Sequence, residues 1–402
     1  MLLTCCYNIT MGFLFTSKKK EKIVAIFDIG SGSIAGAIVR IPTDDNSLPM
    51  IIKSVRNEIR FHENFDFDSF MNDMLTTLNI TANSLFYKNA GSPEEIFCVL
   101  ASPWYLSETR TVKVSKDKTF TFNKDLAGEL IKKEISTLIE SYTNKYGKEE
   151  VPEIIEQNTM AVNLDGSLSN NPLGKKCKSL EMNMIISLSP KVCLNKIRET
   201  IAKTFHNENI KFSSFSFASY LAIRDKYIHA DSYLLVDISG EITDVGVVTG
   251  GVLRSVLSFP FGKKTFFKYI CTKLEIELRD AREIFNLYSE GDLLDPYKEK
   301  IIPLLKSIEN SWGESFSQCI NTLPNNIILP KDIFLTVDSD MRDWFTNILK
   351  TKEHISSSSY LHKFNVITID GPEFLHMCDI NEGSCDPFLM IEAISITRKI
   401  NK

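Results

Sequence analysis

Two short segments carry residue types that could do chemistry. DIGSGS, from Asp28 to Ser33, and DISGE, from Asp237 to Glu241, each close an apolar, β-branched run with a carboxylate and then a turn of small residues. Gly30, Ser31, Gly32 and Ser33 in the first, and Ser239, Gly240 and Thr243 in and after the second, would present several backbone N–H groups with little side chain in the way. A phosphate can rest against such a surface. Asp28 and Asp237, one at each strand end, would hold Mg²⁺ through water, because that cation takes few carboxylates alongside phosphate oxygens. One such turn alone is an ordinary hairpin tip. Two, at the starts of comparable halves, would face each other and clamp a triphosphate from both sides.

The flanking residues supply the elements that must position these turns. KIVAIFDIGSGSIAGAIVR (Lys22 to Arg40) and YLLVDISGEITDVGVVTGGVLRSVLSFP (Tyr233 to Pro260) read as strand, small turn, strand, the second with a further strand. Between them, helical spacing marks Phe65 to Leu85, Lys124 to Lys145, Pro190 to His206 and Ser216 to Tyr227, and Ile96 to Leu100 is a buried strand. Short strands are expected at 109–114 and 120–122, and longer ones at 154–164 and 180–188, bracketing a polar loop. Helices are expected to fill about 263–323, followed by a strand at 333–337, a helix at 341–349, a strand at 364–369 and a helix at 387–399. The event that opens the chain is repeated some way past its middle, a long-range duplication rather than a solenoid.

Composition narrows the function. The 402 residues carry 46 Lys and Arg against 51 Asp and Glu, a net charge of −5, which argues against a nucleic-acid partner. At 43% hydrophobic the chain can build its own cores, and its length suits roughly two or three domains. Nine scattered cysteines without a C-x-x-C pair read as buried thiols of a reducing compartment. Six histidines without an i, i+4 pair give no zinc signature. Residues 1–21 form a basic segment expected to be flexible, with two readings left open. Phe13, Leu14 and Phe15 could dip into lipid while Lys18, Lys19 and Lys20 meet anionic headgroups, or the segment is a plain extension upstream of Met11.

The first turn, DIGSGSIAGAIV, resembles the first phosphate motif of the actin, Hsp70 and sugar-kinase superfamily, and DISGEITDVGVVTGG (Asp237 to Gly251) resembles its second. IIEQNTMAVNLDGSLSNNPLGKKCKSLEMNMIIS (Ile154 to Ser187) is similar to the small extra subdomain of the bacterial division protein FtsA, an architecture shared with the pilus assembly protein PilM. The resemblance implies an α/β, two-lobed actin-like fold (a duplicated ribonuclease H-like unit) with a small inserted α+β subdomain of the SHS2 type. It places the first lobe at 22–100 and 355–402, the insert at 101–186 and the second lobe at 187–354. It further implies ATP and Mg bound between the lobes, with Thr336, Val337 and Asp338 lying at the adenosine.

The motif departs from the family at several positions. Ser239, Glu241 and Ile242 replace two glycines and a threonine, and Leu335, Thr336, Val337 and Asp338 stand where the family has L-T-G-G. A glutamate facing a γ-phosphate repels it, so nucleotide binding is expected to be weakened and no catalytic residue is assigned. The expected function is a cytoplasmic actin-family scaffold of the FtsA type. It would self-associate into a protofilament and link a tubulin-like FtsZ polymer to the division machinery at an anionic membrane. The alternative is a PilM-type platform holding the cytoplasmic tail of a pilus or division membrane protein. A sugar kinase would keep the glycines, and an Hsp70 would need a further domain.

Overall fold

The computed structural model describes residues 21–401 except 44–46, 63–65, 87–92, 148, 325–326, 352–353 and 356–360. Phe13, Leu14, Phe15 and Lys18 to Lys20 lie outside the described residues. The chain opens with β1 (Glu21–Ile29), β2 (Ser33–Pro42), β3 (Met50–Glu58), α1 (Phe67–Phe86) and β4 (Glu95–Leu100). It then builds the insert from β5 (Leu106–Thr121), α2 (Lys124–Tyr146), β6 (Pro152–Leu164), β7 (Ser167–Leu168) and β8 (Lys176–Pro190). α3 (Lys191–Phe205) and β9 (Ile210–Ser214) return to the first sheet before α4 (Phe215–Lys226). The second lobe follows: β10 (Tyr233–Ile238), β11 (Thr243–Thr249), β12 (Val252–Phe259), α5 (Lys263–Leu274), α6 (Leu278–Glu290), α7 (Asp295–Asn321), β13 (Asp332–Val337) and α8 (Arg342–Thr351). A ribbon of β14 (His354–Ile355) and β15 (Leu361–His362), then β16 (Asn365–Thr368), β17 (Asp379–Ile380) and α9 (Pro387–Ile400) complete the chain.

The duplication seen in the sequence is explicit in the sheets. The first runs β17-β3-β2-β1-β4-β9 and the second β12-β11-β10-β13-β16. In each, the first three strands of the repeated unit are antiparallel and the last two join in parallel, so β3-β2-β1-β4-β9 and β12-β11-β10-β13-β16 are the same five-stranded pattern. This pattern corrects the expected strand allocation: residues 210–214 pair in the first sheet and 365–368 in the second. Each unit needs its fifth strand, and the chain supplies it only after the following excursion. The expected short strands at 109–114 and 120–122 are one long β5, irregular between Ser115 and Phe120. Its lysines at 113, 116 and 118 interrupt the apolar alternation by which a strand is recognised.

Side-chain alternation assigns the faces. In β1, Val24 and Ile26 enter one core while Ala25, Phe27 and Ile29 enter another beneath α1 and α3. In β10, Tyr233 and Leu235 join the first of these cores, whereas Leu234, Val236 and Ile238 pack under the second-lobe helices. One core is therefore shared by both lobes, and α4 and α9 fill it. Leu389, Met390, Ile391 and Ile396 of α9 are buried in this shared core. Burying four such side chains is worth roughly 6–12 kcal/mol before ordering entropy is subtracted. The insert has its own small core around Leu138, Met182 and Ile186. Arg254 of β12 ties it to the second lobe, donating from Nη1 to Asn183 Oδ1 at 2.8 Å. No helix among the described residues is long and apolar enough to cross a membrane.

Candidate functional site

The two small-residue turns lie at the ends of β1 and β10, where the lobes meet. The first is pinned from its own lobe. Trp104 Nε1 donates to Gly30 O at 2.9 Å, and Ile59 N to Gly32 O at 2.9 Å. The second is pinned by α5, whose first amides, Lys263 N and Lys264 N, donate to Ser239 O and Gly240 O at 2.9 and 2.7 Å. Helix-terminal N–H groups that could receive an anion are thus spent on the neighbouring turn.

The tips are in contact. The Oγ atoms of Ser31 and Ser239 are 2.6 Å apart, and Glu241 N donates to Ser31 Oγ at 2.9 Å. A Cβ on Gly240 would come within 2.4 Å of Gly32 Cα, so Gly240 must be glycine because two backbones touch there, whereas a Cβ on Gly32 would be tight at 3.1 Å from Gly240 Cα. Below the tips, Asp28 is held by Arg56 of β3, whose Nη2 donates to Asp28 Oδ2 at 2.9 Å. The same guanidinium forks onto Asp386, with Nε to Oδ2 at 2.7 Å and Nη2 to Oδ1 at 3.0 Å, and reaches Ser33 Oγ from Nη1 at 2.7 Å. Burial works against the charge of Arg56, but Asp386 and Asp28 outweigh it and hold its pKa above the ordinary arginine value.

The acids around this guanidinium are strained electrostatically. Burial pushes Asp28 up to about 6 against the pull of Arg56. Burial, then the nearby Asp244 and Asp28, raises Asp237 well above the carboxylate range, and its Oδ1 has no hydrogen-bond partner. Glu392 of α9 is fully buried with neither oxygen paired, and burial, then Asp28, raises it likewise. Asp244 is better served, accepting from Ser102 and Ser258 hydroxyls at 2.8 and 2.6 Å.

Eight of the residues singled out from the sequence line one small cavity together with Arg56: Asp28, Gly30, Gly32, Ser33, Asp237, Ser239, Gly240 and Asp338. Ser31 is at the tip contact. Three others sit apart from it. Thr243 is buried, donating to Phe261 O at 2.6 Å and accepting from Trp312 Nε1 at 3.4 Å. Thr336 and Val337 are inside β13, with Val337 in the second-lobe core rather than projecting over a ligand. The Glu241 carboxylate points to Lys268 of α5, 3.1 Å away, instead of toward the tips. Asp338 is held by Lys263 at 2.9 Å. Sequence reasoning missed Arg56, Asp386 and Glu392. The one signal for Glu392 is a lone acid inside the apolar PFLMIEAISI.

A larger cleft of about 540 Å³ opens beside the tips, between β3 and the α5 and α6 side. Arg56, Arg60, Lys263, Lys264 and Arg282 are its cations, and Phe61, Phe267 and Leu278 form much of its apolar wall. Burial pushes the Lys264 amine down to about 8. A Mg-bound triphosphate clamped between the turns does not fit this arrangement. The tips leave no gap, and Asp28 already carries a cation of the protein's own. Among the described residues no three His, Cys, Asp or Glu side chains group as a metal site.

No protein-family model and no curated protein sequence matches the chain. Solved structures do. The chain is similar to one described as a PilM-PilN type IV pilus biogenesis complex, at 12% identity and a TM-score of 0.58, covering 96% of this chain and 99% of that one. A Bacteroides thetaiotaomicron VPI-5482 protein with actin-like ATPase fold and unknown function matches at 12% identity and a TM-score of 0.35, over 89% and 94% of the two chains. The ethanolamine utilization protein EutJ from Carboxydothermus hydrogenoformans matches at 10% and 0.37, over 94% and 89%. The chain therefore has a two-lobed actin-like fold, shared over almost its whole length with that pilus-complex structure.

Proposed function

We propose that the protein is a cytoplasmic scaffold of the PilM type, which holds the short tail of a membrane protein rather than turning over a substrate. The observation that carries this reading is the end-to-end likeness of fold to a PilM in complex with PilN, insert included. A second support is local. β9 is the outermost strand of its sheet, and beside it Ile155 and Gln157 of β6, Lys211 and Phe212 of β9 and Lys399 of α9 line a groove of about 430 Å³. A short peptide would fill such a groove mainly with side chains, because β6 covers part of the β9 edge and Ser214 N already donates to Glu156 Oε2 at 3.4 Å.

The division reading draws on the likeness of the insert stretch Ile154 to Ser187 to that of FtsA, within which Asn171, Pro172, Leu173 and Gly174 form the most distinctive run. In this chain that segment builds a turn: Asp165 Oδ1 accepts from Lys178 N and Ser179 N at 2.9 and 2.8 Å, and Gly174 N donates to Phe122 O at 2.7 Å. The motif is accounted for by chain reversal and does not favour FtsZ over a peptide tail. The test is affinity capture of the tagged protein from its native cells, in parallel with Lys211→Glu. Recovery of a single-span membrane protein by wild type, lost in the variant, supports the PilM-type reading. Recovery of a tubulin-like polymer, indifferent to Lys211, replaces it with the division scaffold.

A further inference from the structure

The structure assigns Arg56 the place of a divalent cation: beneath the paired tips its guanidinium holds Asp28, Asp386 and Ser33 together, the charge and donor role that a metal-bound nucleotide would otherwise fill. The placement follows from strand register. Asp28 lies opposite Ala35, and Ala35 opposite Arg56, so the three stand in one row across β1, β2 and β3 on one face. Asp28 and Arg56 are then two strands apart, roughly 9–10 Å between backbones. The middle residue is an alanine, and the guanidinium passes over it to reach Asp28. A larger side chain at 35 would close that route.

Four elements meet on this one group. Asp28 ends β1, Ser33 starts β2, Arg56 belongs to β3, and Asp386 caps α9 by accepting from Phe388 N and Leu389 N at 3.0 and 3.3 Å. The Phe388 ring covers one face of the guanidinium at 5.0 Å, while the side chain stays partly open to the neighbouring cleft. Arg56 is the cation that acts on Asp28, Asp237 and Glu392 alike. A planar fork with five donors serves several fixed oxygens at once, as a hydrated metal ion does with its waters. The inference is independent of which partner the scaffold holds.

The experiment is thermal unfolding of wild type, Arg56→Lys and Arg56→Met, each with EDTA, with Mg²⁺ alone and with Mg²⁺ and ATP. Wild type is expected to unfold at one temperature in all three conditions. Arg56→Met frees the oxygens of Asp28, Asp386 and Ser33, so it should unfold earlier in EDTA and recover part of the loss with millimolar Mg²⁺. Arg56→Lys, with one charge and no fork, should fall between. Equilibrium dialysis of wild type against Mg-ATP reads the same point if Arg56→Met fails to fold. An upward shift of wild type with Mg-ATP, retention of Mg-ATP in dialysis, or a folded Arg56→Met indifferent to Mg²⁺ overturns the assignment.

Discussion

Replacing Gly240 by alanine tests whether the hairpin tips touch. The new Cβ would stand 2.4 Å from Gly32 Cα and N and 2.7 Å from Ser31 C, about 1 Å inside ordinary contact. Neither side can yield easily. Gly32 O is held by Ile59 N, Gly240 O by Lys264 N, and Gly262 packs against the far side of the same turn. Overpacking of this kind costs about 1–3 kcal/mol. Separating the tips also breaks the Ser31–Ser239 and Glu241–Ser31 hydrogen bonds, each worth about 1 kcal/mol. The expected loss is about 3–5 kcal/mol. At the usual unfolding entropy per residue, a chain of this length loses roughly 1 °C of Tm per kcal/mol, so differential scanning calorimetry should register a fall of about 3–6 °C. Two companions grade the result. Gly32→Ala meets Gly240 Cα at 3.1 Å and should cost less, and Gly128→Ala, in α2 with open space around it, should gain about 0.5–1 kcal/mol. A Gly240→Ala protein as stable as wild type would refute the closed tips and with them the exclusion of a clamped phosphate.

Glu392→Gln should flatten the pH dependence of stability. A carboxyl whose folded pKa is raised by burial keeps a proton that the unfolded chain has released, so stability falls as pH rises from the ordinary carboxyl value toward the folded one. Urea midpoints taken between about pH 5 and 8 should decline less steeply in the variant, and an unchanged slope rejects the buried-acid account. Asp165→Ala removes the acceptor that two amides of the insert turn share, and should lower the insert's protection in hydrogen exchange; equal protection would mean that the turn is held by other contacts. Arg254→Ala should cost about 1 kcal/mol and speed proteolysis within the insert, since it cuts the tie to Asn183; cleavage at the wild-type rate would show that the tie does not brace the insert.

The two strand-turn-strand units were legible because a buried central strand is a continuous apolar run, and β1 and β10 are buried almost throughout. β3 was not legible. MIIKSVRNE buries only Ile51 fully and mixes charges into the rest, so no period stands out. The cost was Arg56, because its role depends on which strands are neighbours, and sheet order is not written in any local spacing. β9 failed for length, five residues of mixed character. Asp28, Gly240 and their neighbours were found from residue type alone, but their mutual contact was not: glycine that allows a ligand to approach and glycine that allows a second backbone to approach look the same in sequence. That Thr336 and Val337 are buried near the end of β13 was not legible either, because a motif position does not reveal which way its side chain faces.

The shared core has a consequence for biosynthesis. α9 packs on β1 and β2, and β17 extends the edge of β3, yet both are translated long after those strands. At about 5–20 residues per second the ribosome needs roughly 15–60 s to travel from β4 to α9. During that interval the strand face that α9 will cover has no partner, and Glu392 and Asp386 are absent from the neighbourhood of Arg56. The first lobe is begun first and finished last, so a nascent chain stalled within the second lobe presents a long-lived apolar sheet to the cell's chaperones, a vulnerability that the completed protein does not show.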